Sequence, residues 1–189
     1  MDSRQHQADE SRRDWLKRRV GEILSGDGVV FTVAVGGEAR GALRFGIAEK
    51  PLGTVSLVSD SLQVSLGSKP GDLFAEDVIH LAGGAILKAQ DLGLEIVHAN
   101  IDQDTVDPRF VLMGLQSALL RADELKTGVK SRGVTTVNVA AVLQNVNDAD
   151  EALALARVSN VSRWLAALPP NLLGVDEFHQ LLLDTFSKL

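Results

Sequence analysis

The feature that most constrains the fold is a change of hydrophobic period that recurs along the chain. From Leu62 onward, short β-type runs at 62–66, 95–101 and 134–143 alternate with helical patterns at 73–91, 108–126 and 148–168. Such alternation predicts βαβ crossovers and a parallel or mixed sheet covered by helices. Further β-type runs at 29–35, 42–48 and 54–59 predict additional strands before it. The expected fold class is therefore α/β, with a mixed sheet flanked by helices.

The helical patterns also predict which faces are buried. Asp107-Pro108 is a strong helix start, because Asp caps the helix and Pro fits its first position. Gly128 is the expected end of that helix, and Asp148 is the expected cap of the next. The expected buried faces are Val78, Leu81, Ala82, Ala85, Ile86 and Ala89 in the first helix, Val111, Leu115, Ala118, Leu119, Ala122 and Leu125 in the second, and Ala154, Val158, Val161, Leu165 and Leu168 in the third.

The two ends of the chain are expected to be helical as well. A short helix is predicted at 14–24, with the polar residues 1–12 outside it. The Pro169-Pro170 pair must end the helix that precedes it, because proline lacks an N–H group and restricts the residue before it. A last helix from about Asp176 would place Phe178, Leu182, Phe186 and Leu189 on one face.

Composition excludes several classes of function. The net charge is −6, which disfavours binding to phosphate backbones. One basic cluster lies near the start of the chain and is expected to be a solvated helix face. It comprises Arg12, Arg13, Lys17, Arg18 and Arg19. There is no cysteine, so disulfides and thiolate metal sites are excluded. No apolar run is long enough for a membrane span. We therefore expect a cytoplasmic protein without a membrane or nucleic-acid partner.

Motifs of catalysis are missing from the sequence. Glu76 and His80 are one helical turn apart but no third metal ligand is evident, so they are expected to form a helix-surface pair. There is no GxSxG motif. Two glycine loops, at Gly36-Gly37 and Gly67-Ser68, follow strands and could hold a phosphate or another anion at their amides, although a plain turn is the simpler interpretation. No catalytic or metal-binding residue is predicted.

Three stretches, taken in order, resemble the leucyl aminopeptidase (cytosol aminopeptidase) family. They are VSLGSKPGDLFAEDVIHLAGGAILKAQDLG at 64–93, GLQSALLRADELKTG at 114–128 and RWLAALPPNLLGVDEF at 163–178. The third stretch aligns without gaps with the family pattern "RDLVNTPPNDLTPEKF", and the Pro-Pro-Asn at the end of a long helix is its most specific part. The resemblance covers residues from about 62 to 186.

The resemblance implies a macro-like N-terminal domain that carries no catalysis and leads through the Pro-Pro-Asn segment into a peptidase domain. It divides the chain into an N-terminal arm and short helix at 1–26, a macro-like α/β domain at 27–146, and a segment at 147–189 that holds the linker helix and the first helix of a truncated peptidase domain. Motifs of the catalytic domain, such as "GKGITFDTGG" and "NTDAEGR", are not in this sequence. The chain alone is therefore expected to be inactive and without a cofactor.

Three functions follow from this resemblance as expectations. The first is a non-catalytic N-terminal domain of a leucyl-aminopeptidase-like protein, used for assembly or regulation in a homo-oligomer or against a peptidase domain, with Phe178, Leu182 and Phe186 as its interface. The second is part of an active aminopeptidase whose catalytic domain, with two zinc or manganese ions, follows residue 189. The third is a module that binds a nucleotide or ADP-ribose at Gly36, Gly37, Gly67 and Ser68.

Overall fold

The computed structural model describes residues 3–35, 43–46, 55–58, 61–65, 74–101, 106–120, 133–141, 147–169 and 172–186. These residues form five helices and six strands. In chain order the elements are α1 (Ser3–Leu24), β1 (Val30–Val35), β2 (Leu43–Gly46), β3 (Val55–Val58), β4 (Ser61–Ser65), α2 (Ala75–Asp91), β5 (Ile96–Ile101), α3 (Pro108–Ser117), β6 (Thr136–Ala141), α4 (Asn147–Ala167) and α5 (Val175–Phe186).

The strands form one mixed sheet in the order β1-β6-β5-β2-β4-β3. Neighbouring strands are parallel except for β3, which pairs antiparallel with β4. The chain steps in the same direction across the sheet from β4 to β5 and from β5 to β6. Since such crossovers are right-handed, both connecting helices, α2 and α3, lie on the same face. The expected α/β class with a mixed sheet is thus confirmed.

The main hydrophobic core lies between the sheet and this layer of helices. Val97 of β5 and Val137 of β6 meet Ala85 and Ile86 of α2 and Leu115 of α3, all of them fully buried. The buried face predicted for α2 is correct in its spacing, with Leu81 at the margin of the core. Aliphatic side chains at this spacing are what a helix needs to cover a sheet.

The helix α3 is shorter than predicted. Asp107 caps it as expected, since its carboxylate accepts a hydrogen bond from the Arg109 amide at 2.9 Å. The helix ends at Ser117, whereas the sequence predicted that it continues to residue 126, of which 121–126 lie outside the described residues. The reason is a pair of side chains on α4: Asn160 donates to the Gln116 carbonyl at 3.1 Å, and Arg163 donates to the Ser117 carbonyl at 2.9 Å. These donors satisfy carbonyls that further helical amides would otherwise take.

Predictions for two other helices also need correction. The first helix is not confined to 14–24 but begins at Ser3. The helix α4 begins at Asn147, so Asp148 lies in its first turn and is not its cap. Its buried face differs in part from the prediction. Ala154 and Val158 are exposed, whereas Leu168, just after the helix, is buried and Val161 and Leu165 are partly buried. The buried residues within the helix are Ala149, Ala152, Leu153, Ala156, Asn160 and Trp164.

Helices α2 and α3 approach closely at Gly114. A Cβ atom at this position would lie 2.7 Å from the Cβ atom of Ala82 and closer still to the carbonyl oxygen of Ile79. Glycine therefore sets the distance between the two helices. Because both contacts are with rigid groups, a larger residue would have to push the helices apart.

We predict that Gly114→Ala lowers the free energy of unfolding by about 1–3 kcal/mol, as overpacking in a core does. Gly84→Ala on α2 is the matched control, since a Cβ atom there meets nothing within 4 Å. The control should be neutral or more stable by about 0.5–1 kcal/mol, because alanine favours a helix interior over glycine. Urea denaturation of the three proteins measures the difference. Equal stability of Gly114→Ala and the parent would contradict the close approach.

Candidate functional site

A second hydrophobic cluster lies apart from the sheet, around Trp164. The first half of α4 packs on the main core through Ala149, Ala152 and Leu153. Its second half contributes Trp164 and Leu168 to a cluster with helices from both ends of the chain, which supply Leu16, Val20 and Ile23 from α1 and Leu181 from α5. Trp164 is fully buried, and its ring lies 5.5 Å from that of Trp15 at a tilt of 53°. Tilted aromatic pairs at this distance are favourable.

The turn after α1 is fixed by contacts with α1 itself and with α4. Gly26, Asp27 and Gly28 all have positive φ, and the buried Asp27 carboxylate accepts two hydrogen bonds from the buried Arg19 guanidinium, one of them at 3.0 Å. A buried, bidentate ion pair of this kind is costly to break from one side. The side chain of Arg157 on α4 packs against Gly26. These contacts fix the path of the chain from the end of α1 to the start of β1.

The predicted corner at Pro169 separates α4 from α5. The Pro169 carbonyl accepts hydrogen bonds from the amides of Leu172 at 2.9 Å and Leu173 at 3.3 Å, which close a turn. The last helix then begins at Val175, one residue before the predicted start. It returns along α1, where Lys17 and Asp184 form an ion pair at 2.6 Å.

The three helices leave an apolar groove of about 540 Å³ between them, which we call the α1–α4–α5 groove. It is lined by Val20 and Leu24 of α1, Val158, Val161, Ser162, Leu165 and Ala166 of α4, Leu173 of the turn, and Phe178, Leu181 and Leu182 of α5. Ser162 is the single polar residue of this lining, and its hydroxyl donates to the Val158 carbonyl of its own helix at 3.3 Å. The groove thus presents an almost entirely apolar surface to a binding partner.

The groove stays open to solvent. Leu24 is 37% exposed, Phe178 40% and Val158 48%. Val175, at the start of α5, is 85% exposed. Apolar side chains gathered in this way on a surface mark interaction sites more often than isolated ones do.

Two of the three predicted interface residues line this groove, namely Phe178 and Leu182. Phe186 is the last residue of α5, and its side chain lies outside the described residues, as does Leu189. The glycine-loop candidates Gly36, Gly37, Gly67 and Ser68 also lie outside them. Whether those loops bind an anion stays a prediction.

The contribution of α4 to the groove was missed by sequence reasoning. Val158, Val161 and Leu165 belong to the predicted buried face, but all three line the groove, and Val161 and Leu165 pack in part against the Trp164 cluster rather than the main core. The signal that could have revealed this is a second, smaller stripe of Ala149, Ala152 and Ala156, a spacing of three and four residues that also contains Asn160. A helix with two apolar faces has to be covered on both sides.

The acidic residues of the described segments do not converge. Within those segments no group of three or more His, Cys, Asp or Glu side chains could hold a metal ion. Asp77 accepts a hydrogen bond from the Phe74 amide at 3.2 Å, and Glu76 and His80 are exposed on α2. The side chain of Arg109 donates to the Asp107 carboxylate and holds the pKa of Asp107 below its usual value, although partial burial acts in the other direction. These carboxylates serve helix starts, as their positions predict.

Comparison of the sequence with protein-family models finds no match, and comparison with curated proteins finds none either. None of the helices in the described part of the chain is both long enough and apolar enough to cross a bilayer.

We predict that Val158→Asp weakens the binding of an uncharged apolar dye such as Nile red by about tenfold, ~1.4 kcal/mol, because it places a charge in the wall of the groove. Leu87→Asp is the matched control: Leu87 is 54% exposed, on α2, and does not line the groove. Dye fluorescence as a function of protein concentration gives both affinities. A loss of dye binding in both variants, or in neither, would show that the groove is not the apolar site.

Proposed function

We propose that this chain is a non-catalytic, cytoplasmic assembly domain of a leucyl-aminopeptidase-like protein, and that it joins copies of itself into a homo-oligomer through the α1–α4–α5 groove. The observation that carries the proposal is the groove itself, an open and almost wholly apolar surface formed where the two ends of the chain meet. Surfaces of this character are rare on proteins that act alone.

The position of the groove supports the connection with the family. The stretch that resembles the family most specifically, 163–178, contains the end of α4, the turn at Pro169 and the start of α5. Leu165, Leu173 and Phe178 from this stretch all line the groove. In the family this segment leads from the N-terminal domain toward the peptidase domain, so an apolar surface here is expected to be covered in the assembled protein.

The architecture is compatible with a macro-like domain, which is part of the proposal. The mixed sheet and its helices pack through one hydrophobic core that includes Val97 and Leu115. The helices α1, the second half of α4, and α5 add a separate cluster around Trp164. We therefore assign the binding surface to the helical cluster and not to the sheet.

The non-catalytic part of the proposal rests on the carboxylates. A two-metal peptidase needs several of them to converge on ions about 3.5–4 Å apart, where the ions polarise the carbonyl group and activate water. In the described segments Asp77 and Asp107 are instead engaged at helix starts. A carboxylate that accepts hydrogen bonds from backbone amides is poorly placed to share a metal ion as well.

We predict that the purified chain releases no p-nitroaniline from leucine p-nitroanilide in the presence of zinc, manganese or cobalt. The measurement is absorbance over hours at high protein concentration, with the same protein after chelation as a blank. Metal-dependent turnover that persists through repurification and is lost in Asp77→Asn or Asp107→Asn would refute a non-catalytic domain.

A further inference from the structure

Helix α5 is attached to the protein along one side and faces the open groove along another. Among its described side chains, 175–184, Leu181 alone is buried, with 4% exposure, and it contacts the Trp164 cluster. Phe178 and Leu182 line the groove, and Val175 and Leu183 are at least half exposed. An element with one buried anchor belongs to the less stable part of a fold.

Opposite charges draw α5 toward α1. Between Arg12 and Leu24, α1 carries five basic and two acidic residues, whereas α5 carries three acidic residues and no lysine or arginine. The ion pair of Lys17 and Asp184 lies at this contact, with side chains 46% and 32% exposed, and Gln180 donates to the other Asp184 oxygen at 3.2 Å. An ion pair exposed to this degree is weak and is screened by salt.

Leu181 forms part of the groove wall as well as of the Trp164 cluster. If α5 moved away from α1, this side chain would leave the cluster, and the side of α4 that carries Val161 and Leu165 would become more accessible. An apolar helix face uncovered in this way is a typical receptor for an amphipathic helix. The width of the groove thus depends on how firmly α5 is held.

We propose that α5 is a lid on the α1–α4–α5 groove, held against α1 by Leu181 and by the ion pair of Lys17 and Asp184, and that it opens as a unit while the sheet and α4 stay folded. A minor open state is expected, because Leu181 is the one buried side chain among residues 175–184 of α5 and the ion pair of Lys17 and Asp184 is exposed. The use of this lid in assembly rests on the function proposed above, whereas the opening is a property of the isolated chain.

Hydrogen–deuterium exchange of the full chain, followed by mass spectrometry, tests the lid. We expect peptides of α5 to exchange faster than those of α4, and to accelerate roughly two- to fivefold in Lys17→Gln and in Asp184→Asn, which is the range for loss of an exposed ion pair. Added salt should accelerate exchange in α5 of the parent protein in the same direction and have little further effect on the two variants. The exchange of α2 and α4 should not change.

Two further variants make the result specific. The charge-swapped protein Lys17→Asp/Asp184→Lys should restore slow exchange in α5. Arg18→Gln is the matched control, because Arg18 also lies on α1 but is 69% exposed and has only a 3.8 Å contact with Glu22. The lid is refuted if α5 and α4 exchange at one common rate, or if Lys17→Gln and Asp184→Asn leave α5 unchanged. A groove with a fixed α5 could still join copies of the chain, which sedimentation velocity measures, so failure of the lid is distinguishable from failure of the proposed function.

Discussion

The burial of Trp164 is the interaction that holds α1, the second half of α4 and α5 together. Its ring is fully buried beside Trp15, in a cluster that α1, α4 and α5 form without side chains of the described strands. Large aromatic side chains bury the most area of any residue and dominate the energetics of small clusters. Because α4 also packs on the main core through Leu153, this helix fixes the position of the helical cluster relative to the sheet. The groove exists because this cluster is built from three helices that do not close completely around Leu165.

The local patterns of the sequence predict the layered fold well and the faces of α4 poorly. Strand and helix positions in β5, β6 and α2 follow from periodicity, since apolar side chains recur on the face of each element that is buried in the main core. The end of α3 at Ser117 could not be predicted, because it depends on side chains of α4 that are more than forty residues away in sequence. The burial of Asn160 could not be predicted for the same reason. A polar side chain is buried where it has a hydrogen-bond partner, and the partner of Asn160 is the Gln116 carbonyl on α3.

The candidate site was predicted in part. Phe178 and Leu182 stand at helical spacing in a short segment after a proline corner, and that pattern is sufficient to predict an apolar face. The opposite wall could not be predicted, because Val20 and Leu24 come from the far end of the chain and Val158 from the outer face of α4. A groove between three elements is a property of their packing, and the sequence of each element gives only its own amphipathic character.

The claim that the groove joins copies of this chain is tested most directly by sedimentation velocity over a wide range of protein concentration. We expect the parent chain and Leu87→Asp to sediment as oligomers that dissociate on dilution. Val158→Asp should sediment as a monomer with the helical circular dichroism of the parent, and its melting temperature should equal that of the parent at the low concentration where the parent is dissociated. A parent chain that is monomeric at every concentration, or a Val158→Asp variant that associates as strongly as the parent, would contradict it.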